Sequence, residues 1–157
     1  MTACYFDTTY LCKLRWPEAG SSEVGACAAA ADELVCALHG RAEFYSLCHR
    51  KLREGVADTS TIQIVAAQFE ADCAAGGIRL LPLTAAIVDS VARVFATAPA
   101  TSYLRAADAI HLASAADFGF TEIYSNDRHL LAAAPLLGLR GCECHSVEPA
   151  LPRWKRG

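Results

Sequence analysis

Ala3-Cys-Tyr-Phe-Asp-Thr-Thr9 is the stretch of sequence that decides the fold class. Its first four residues are apolar or aromatic, which predicts a short buried strand over Ala3–Phe6 that ends on the carboxylate of Asp7. Apolar runs of similar length recur along the chain. They predict further strands at Glu33–Leu38, Ile78–Leu83 and Glu122–Ser125, with a fifth candidate at Cys142–Val147.

Helical segments separate these strands. Apolar residues at helical spacing predict helices over Tyr10–Arg15, Glu18–Ala31, Arg41–Glu54, Ser60–Ala75, Ala85–Thr97, Ser102–Phe118 and His129–Leu136. Gly40 is interpreted as the turn after the second strand. The alternation predicts an α/β fold, a three-layer α/β/α domain with a four- or five-stranded, mainly parallel sheet. We expect one domain over residues 1–148 and a loose C-terminal tail over 149–157.

Composition limits the classes of protein to which the chain can belong. Of its 157 residues 54% are hydrophobic and 20% are charged, which is typical of one folded domain. No apolar run approaches the roughly 18 residues that a membrane span needs, and no signal peptide is predicted, so we expect a cytoplasmic protein with no membrane partner. The eight cysteines are then expected to be reduced thiols. The net charge of −3 means that nucleic-acid binding needs local basic patches or metal ions.

Three acidic residues lie where an α/β fold places its functional sites. Asp7 and Asp127 each follow a predicted strand, and Glu43 lies in the first turn of the helix after the second strand. Each also has a purely structural explanation, because Asp7 and Asp127 are suitable helix N-caps and Glu43 complements a helix dipole. The carboxyl ends of parallel strands meet at one edge of the sheet, so we expect all three to gather there.

Asp108 is a fourth candidate, predicted to lie inside the helix Ser102–Phe118 among apolar neighbours. A buried carboxylate needs a partner, and two are considered: Arg105, three residues earlier, or a metal ion. Four carboxylates that crowd together repel one another unless cations neutralise them. An oxygen-only cluster suits Mg²⁺ or Mn²⁺ better than zinc, so the pattern indicates a magnesium or manganese site.

Four segments resemble the PIN-domain family, and within it the VapC-type toxins of prokaryotic toxin–antitoxin pairs. They occur in the family's order at Tyr5–Thr9, Arg41–Phe44, Leu104–Ala113 and Ser125–Leu130, and the resemblance extends from about Tyr5 to Val147. The family's catalytic and metal-binding acidic quartet matches Asp7, Glu43, Asp108 and Asp127. Its supporting polar positions match Thr8, Ser125 and Asn126. The resemblance implies an Mg²⁺- or Mn²⁺-dependent endoribonuclease that forms a homodimer and binds a cognate antitoxin.

Two histidines and a set of basic residues are candidates for supporting roles. His111 is considered as a residue that orients Asp108 or as a packed structural histidine, and His129 is given less weight. Basic residues that could guide an RNA substrate also have a simpler interpretation as solvated charges. They are Arg41, His49, Arg50, Lys51, Arg53, Arg105, Arg128 and the tail residues 153–156.

Alternatives to an active ribonuclease stay open from sequence. A haloacid-dehalogenase-type phosphomonoesterase also begins with a strand that ends in Asp, but it needs a second Asp where this chain has Thr9. A receiver-like domain needs paired acids at the first strand and a late Lys. A catalytically inactive, protein-binding PIN domain usually lacks one of the four acids, all of which are present here.

Overall fold

The computed structural model describes residues 2–145 and shows a sheet whose strand pairs are all parallel. The strands are β1 (Ala3–Tyr5), β2 (Glu33–Ala37), β3 (Ile78–Leu81), β4 (Glu122–Tyr124) and β5 (Arg140–Cys142). β1 pairs with β2 and β2 with β3, while β4 pairs with β5. A single parallel bridge between Phe6 and Tyr124 joins the two groups, so the spatial order is β3-β2-β1-β4-β5.

Within the described part of the chain, seven helices cover the sheet. They are α1 (Thr8–Lys13), α2 (Ser21–Ala29), α3 (His39–Arg53), α4 (Thr59–Ala74), α5 (Ala85–Thr97), α6 (Ala106–Asp117) and α7 (Arg128–Ala133), followed by a 3₁₀ turn over Ala134–Leu137. Alternate strand residues enter two separate cores. Tyr5 and Val35 pack with Leu112 of α6, whereas Phe6 and Cys36 lie in the core that α1, α3 and α4 cover. The prediction of a three-layer α/β/α fold is therefore confirmed.

Several predicted boundaries were wrong, for identifiable reasons. β3 ends at Leu81 because Pro82 has no backbone N–H to continue the ladder. α2 begins at Ser21, after Gly20 with φ of 83°, and not at Glu18. Gly40 lies in the first helical turn of α3 and not in a loop before the helix. β5 spans Arg140–Cys142, earlier than the predicted Cys142–Val147. The predicted domain boundary at residue 148 and the tail lie outside the described residues.

The boundary of α6 matters most for the site. Its predicted start at Ser102 was wrong, because Arg105 has an extended backbone (φ −97°, ψ 158°) and the helix begins at Ala106. Asp108 therefore lies in the first turn of α6 and not in its interior. A carboxylate in a first turn is stabilised by the helix dipole.

Over residues 2–145, none of the helices combines the length and the apolar character that crossing a membrane requires.

Candidate functional site

Asp7 lies two residues beyond the end of β1, and the residue is 3% exposed. Oδ1 caps α1 by accepting the backbone N–H of Tyr10 at 3.0 Å. The Thr9 hydroxyl lies 2.7 and 2.9 Å from the two carboxylate oxygens, and the Ser125 hydroxyl donates to Oδ2 at 2.5 Å. Burial raises the pKa of Asp7, although the charge of His111 and these hydrogen bonds lower it in part. Asp7 is therefore both an N-cap and a buried carboxylate for which a nearby cation would be favourable.

Asp127 follows β4 and uses its two oxygens for different purposes. Oδ1 caps α7 by accepting the N–H groups of His129 and Leu130 at 2.8 and 3.3 Å. Its own N–H donates to Ser125 Oγ at 2.9 Å, so Ser125 connects Asp127 to Asp7 across adjacent strand ends. The Oδ2 atom is left to face the cleft, where it accepts a hydrogen bond from Arg105.

Arg105 holds Asp108 and Asp127 together. Its Nε donates to Asp108 Oδ2 at 2.9 Å, and its Nη2 lies 3.3 Å from Asp108 Oδ1 and 2.9 Å from Asp127 Oδ2. Asp108 is 7% exposed, but the Arg105 side chain is 60% exposed. The ion pair considered from sequence is therefore present. The guanidinium places a cation between two carboxylates. Because it is exposed to solvent, it can leave that position without being buried elsewhere.

Glu43 approaches the same cleft from α3. It accepts a hydrogen bond from the Thr8 hydroxyl at 2.6 Å and one from His111 Nε2 at 2.8 Å, and His39 Nε2 lies 3.7 Å away. Burial alone would raise the pKa of Glu43, but the hydrogen bond and charge of His111, with the Thr8 bond, lower it to about 2. Glu43 is therefore an anion at neutral pH.

His111 contacts Glu43, so the hypothesis that it orients Asp108 named the wrong partner. The side chain is 2% exposed, with Nδ1 3.1 Å from the Tyr5 hydroxyl and Nε2 3.1 Å from the Thr8 hydroxyl. Burial opposes the imidazolium, but the neighbouring Cys36 and the Glu43 carboxylate raise the pKa of His111 to about 10. The hypothesis of a packed histidine is correct as far as burial is concerned.

Sequence reasoning missed His39. Its side chain is 14% exposed, and its ring lies 4.2 Å from that of His111, centroid to centroid. The available signal was its spacing, four residues before Glu43 on one helix, which places the two side chains on one face.

Gly40 permits this packing. A Cβ added there would lie 2.6 Å from Cys36 Sγ and 2.9 Å from Thr8 Oγ1. Both distances are shorter than carbon can approach sulfur or oxygen without displacement. The absence of a side chain at Gly40 therefore lets Thr8 stay in hydrogen-bonding distance of Glu43.

The four predicted acids border one cavity of about 370 Å³, which we call the acidic cleft. Its lining residues are Asp7, Thr8, Thr9, Glu43, Ser46, Leu47, Arg50, Arg105, Asp108, His111 and Asp127. Asn126 lies beside it, with Oδ1 3.0 Å from the Thr9 hydroxyl. Carboxylate oxygens from four separate elements thus face one space, where they could hold a divalent cation.

The basic residues named from sequence lie in different parts of the structure. Arg50 and Arg105 line the acidic cleft, and Arg50 with Lys51 also borders an adjacent cavity of about 180 Å³. Arg41 is engaged elsewhere, because its guanidinium forms two hydrogen bonds to Glu70 at 2.9 and 3.0 Å. Arg128 is the first residue of α7, and His49 and Arg53 lie on α3. The tail residues 153–156 lie outside the described residues.

The comparisons with known proteins agree with this architecture. The family model described as "PIN domain" matches residues 4–135. No curated protein matches the chain in sequence. A VapC20 toxin of Mycobacterium tuberculosis, described as cleaving the sarcin–ricin loop, is similar in structure, with 17% identity, a TM-score of 0.66 and coverage of 87% of this chain and 98% of that one.

Two further solved structures are similar in fold. One is FitAcB from Neisseria gonorrhoeae, with 16% identity, a TM-score of 0.68 and coverage of 88% of this chain and 95% of that one. The other is FitAB bound to an IR36 DNA fragment, with 14% identity, a TM-score of 0.66 and coverage of 94% and 99%. At these identities the likeness concerns the fold.

Proposed function

Because the chain belongs to the PIN domain family, we propose that it is a metal-dependent endoribonuclease that hydrolyses RNA phosphodiester bonds. The observation that carries the proposal is the convergence of Asp7, Glu43, Asp108 and Asp127 on one cleft. Structural capping explains Asp7 and Asp127 singly, but it does not explain why four carboxylates share one space against their mutual repulsion.

The residues of the acidic cleft fit a hard divalent cation. Oδ2 of Asp127 and both oxygens of Asp108 already surround a positive charge, the Arg105 guanidinium. Asp7 is buried with a raised pKa, so a neighbouring cation would stabilise its charged form. We assign Mg²⁺ or Mn²⁺ to the oxygens of Asp7, Asp108 and Asp127, with Glu43 as the fourth acid.

Side chains of the protein itself orient the acids and bind the substrate. When bound, the metal ion supplies an activated water and neutralises charge on the phosphodiester. Ser125 and Thr9 hold Asp7 in one orientation, and Thr8 with His111 does the same for Glu43. Arg50 and Arg105, at the lining of the cleft, are placed to bind the phosphates on either side of the scissile bond. No nucleophilic side chain is required.

We assign the chain to the toxin side of a type II toxin–antitoxin pair in the cytoplasm, as a homodimer that binds a cognate antitoxin. A VapC20 toxin and FitAB complexes share its fold. The position of Arg105 indicates how an antitoxin would inhibit cleavage. A basic side chain from a partner would donate hydrogen bonds to Asp108 and Asp127 as Arg105 does. Co-expression with the product of a neighbouring small gene, followed by mass measurement of the purified complex, tests this assignment.

The activity is tested with purified full-length protein on a mixture of structured RNAs and on a phosphomonoester. We expect RNA cleavage in Mg²⁺ or Mn²⁺, none in chelator, and no phosphomonoester hydrolysis. Asp7→Asn should lower the cleavage rate at least about 100-fold, as for loss of a principal electrostatic group. Asp89→Asn, on the exposed face of α5, is the matched control and should cleave normally. Hydrolysis of the phosphomonoester alone would favour the phosphatase alternative, and no hydrolysis at all would favour the inactive protein-binding one.

A further inference from the structure

A cluster of two histidines and one carboxylate lies beside the acidic cleft. His39, Glu43 and His111 each offer one ligand atom, and these three atoms all lie within 4.8 Å of one another. Glu43 Oε2 is 2.8 Å from His111 Nε2 and 3.7 Å from His39 Nε2. Zinc bound at about 2.0–2.2 Å to nitrogen and oxygen needs tetrahedral ligand atoms about 3.2–3.5 Å apart. The three ligand atoms therefore lie near this spacing, and the side chains must adjust for an ion to bind.

The His111 ring is held in the manner of a metal ligand, and an ion bound to it would replace the proton that Nε2 donates to Glu43. His111 Nδ1 lies 3.1 Å from the Tyr5 hydroxyl, which also accepts the Ala37 N–H at 3.1 Å. Metal-ligating histidines typically use their second ring nitrogen for such a bond, because it fixes the ring and directs the other nitrogen at the ion. His39 Nε2 lies 3.1 Å from the carbonyl oxygen of Ala107, and because a carbonyl only accepts, this bond fixes the ring with its proton on Nε2. The lone pair is then on Nδ1, which is buried and, among residues 2–145, has no hydrogen-bond partner.

The donor set distinguishes this cluster from the acidic cleft. Two imidazole nitrogens and one carboxylate oxygen favour Zn²⁺ over Mg²⁺, whereas the four acids offer only oxygen. Glu43 belongs to both groups. We propose that His39, Glu43 and His111 form a Zn²⁺ site, and that an ion bound there inhibits the enzyme by withdrawing Glu43 from the acidic cleft. The inhibition, though not the binding, rests on the nuclease function proposed above.

Binding is tested first, without RNA, because thiols elsewhere in the chain also bind zinc. Metal-free, reduced, full-length protein is titrated with Co²⁺ as the spectroscopic probe and then with Zn²⁺, comparing wild type, His39→Gln and His49→Gln. His49 is the matched control, since it is exposed and lies on the same helix. We expect the intense visible absorption of four-coordinate cobalt without a sulfur charge-transfer band in wild type and His49→Gln. In His39→Gln, which lacks one direct ligand, the affinity should fall by at least the roughly 10- to 100-fold that is typical of losing a second-shell partner.

Equal affinity and equal spectra in all three proteins would overturn the zinc site, as would a sulfur-to-cobalt charge-transfer band that depends on His39. If His39→Gln does not fold, wild type alone decides by NMR. One equivalent of Zn²⁺ should shift the imidazole signals of His39 and His111 and leave that of His49 unchanged, and the reverse pattern overturns the site.

Inhibition is then measured as RNA cleavage in saturating Mg²⁺ with rising Zn²⁺. The inhibitory concentration of Zn²⁺ should rise about tenfold or more in His39→Gln relative to His49→Gln. Equal inhibition of both variants would overturn the shared role of Glu43. Absence of RNA cleavage in Mg²⁺ together with His39-dependent cobalt spectra would refute the nuclease function while supporting the zinc site.

Discussion

Replacing Arg105 with glutamine removes the cation that now lies between Asp108 and Asp127. Its side chain is 60% exposed, so each ion pair contributes only about 0.2–1 kcal/mol after solvent screening. With two such pairs, the guanidinium stabilises the metal-free cleft by about 1 kcal/mol. We therefore expect the metal-free variant to unfold with a free energy about 1 kcal/mol lower than wild type.

The same change should strengthen metal binding. A divalent ion must displace Arg105 from Asp108 Oδ2 and Asp127 Oδ2, at a cost equal to the stabilisation that Arg105 provides. Removal of a competition worth about 1 kcal/mol corresponds to about fivefold tighter binding. Loss of the repulsion between the displaced guanidinium and the ion adds to this factor. Titration calorimetry with Mn²⁺ and Mg²⁺ measures it without depending on RNA cleavage.

Arg79→Gln is the matched control. Arg79 makes a bidentate pair with Glu33 at 2.8 and 3.0 Å and is 47% exposed, but it lies at the opposite edge of the sheet, where β2 and β3 begin. Arg79→Gln removes the same charge and a similar contact as Arg105→Gln. Because solvent and salt screen charges at this distance from the cleft, metal affinity should stay within about twofold of wild type. Unchanged or weaker metal binding in Arg105→Gln would refute the competition between Arg105 and the ion.

Two further perturbations address packing and pH. Gly40→Ala should lower the free energy of unfolding by about 1–3 kcal/mol in urea melts, because the new Cβ meets Cys36 Sγ and Thr8 Oγ1. The control is Gly25→Ala in helix α2, where a Cβ would meet nothing within 4 Å and should stabilise the fold by about 0.5–1 kcal/mol. Equal effects of the two substitutions would contradict the crowding at Gly40. Burial, followed by the charge of His111, lowers the pKa of His39 from 6.5 to about 4, so the unfolded chain binds a proton that the folded chain excludes. Metal-free stability should then fall by up to about 3 kcal/mol as pH drops from 6.5 to 4, and His39→Gln should remove most of that slope in pH-dependent urea melts. Glu43, with its pKa lowered to about 2, adds a further loss as pH falls from 4.5 towards 2.

The layers of the fold could be predicted from the sequence because strand and helix periods are local properties. Asp7 was expected to follow the first strand and Ser125 to end the fourth, and a hydrogen bond of 2.5 Å joins them. The start of α6 could not be predicted in the same way, because residues 102–105 have no strong helix-breaking signal. The extended backbone of Arg105 is accompanied by the bridge that its side chain makes to Asp127, 22 residues later in the chain.

The contacts of Glu43 could not be predicted from local sequence patterns either. The His111–Glu43 bond joins α6 to α3 across 68 residues. A side chain at position 40 would clash because Thr8 of α1 and Cys36 of β2 pack against Gly40, and these contacts come from two other elements. Spacing within one helix can suggest that His39 and Glu43 share a face. It cannot show which side chain of another helix completes the group.

Asp108→Asn, compared with Asp117→Asn at the other end of the same helix, tests the metal site most directly. Asp117 is exposed, so its variant controls for loss of one α6 carboxylate. Because Arg105 is solvent-exposed, breaking its pair with Asp108 should change metal-free stability by no more than about 1 kcal/mol, or about 2–4 °C in Tm. Asp108→Asn should nevertheless lose the Mg²⁺-dependent rise in Tm and at least about 100-fold in RNA cleavage, while Asp117→Asn keeps both. A variant Asp108→Asn that still cleaves RNA and is still stabilised by Mg²⁺ would contradict the proposed metal site.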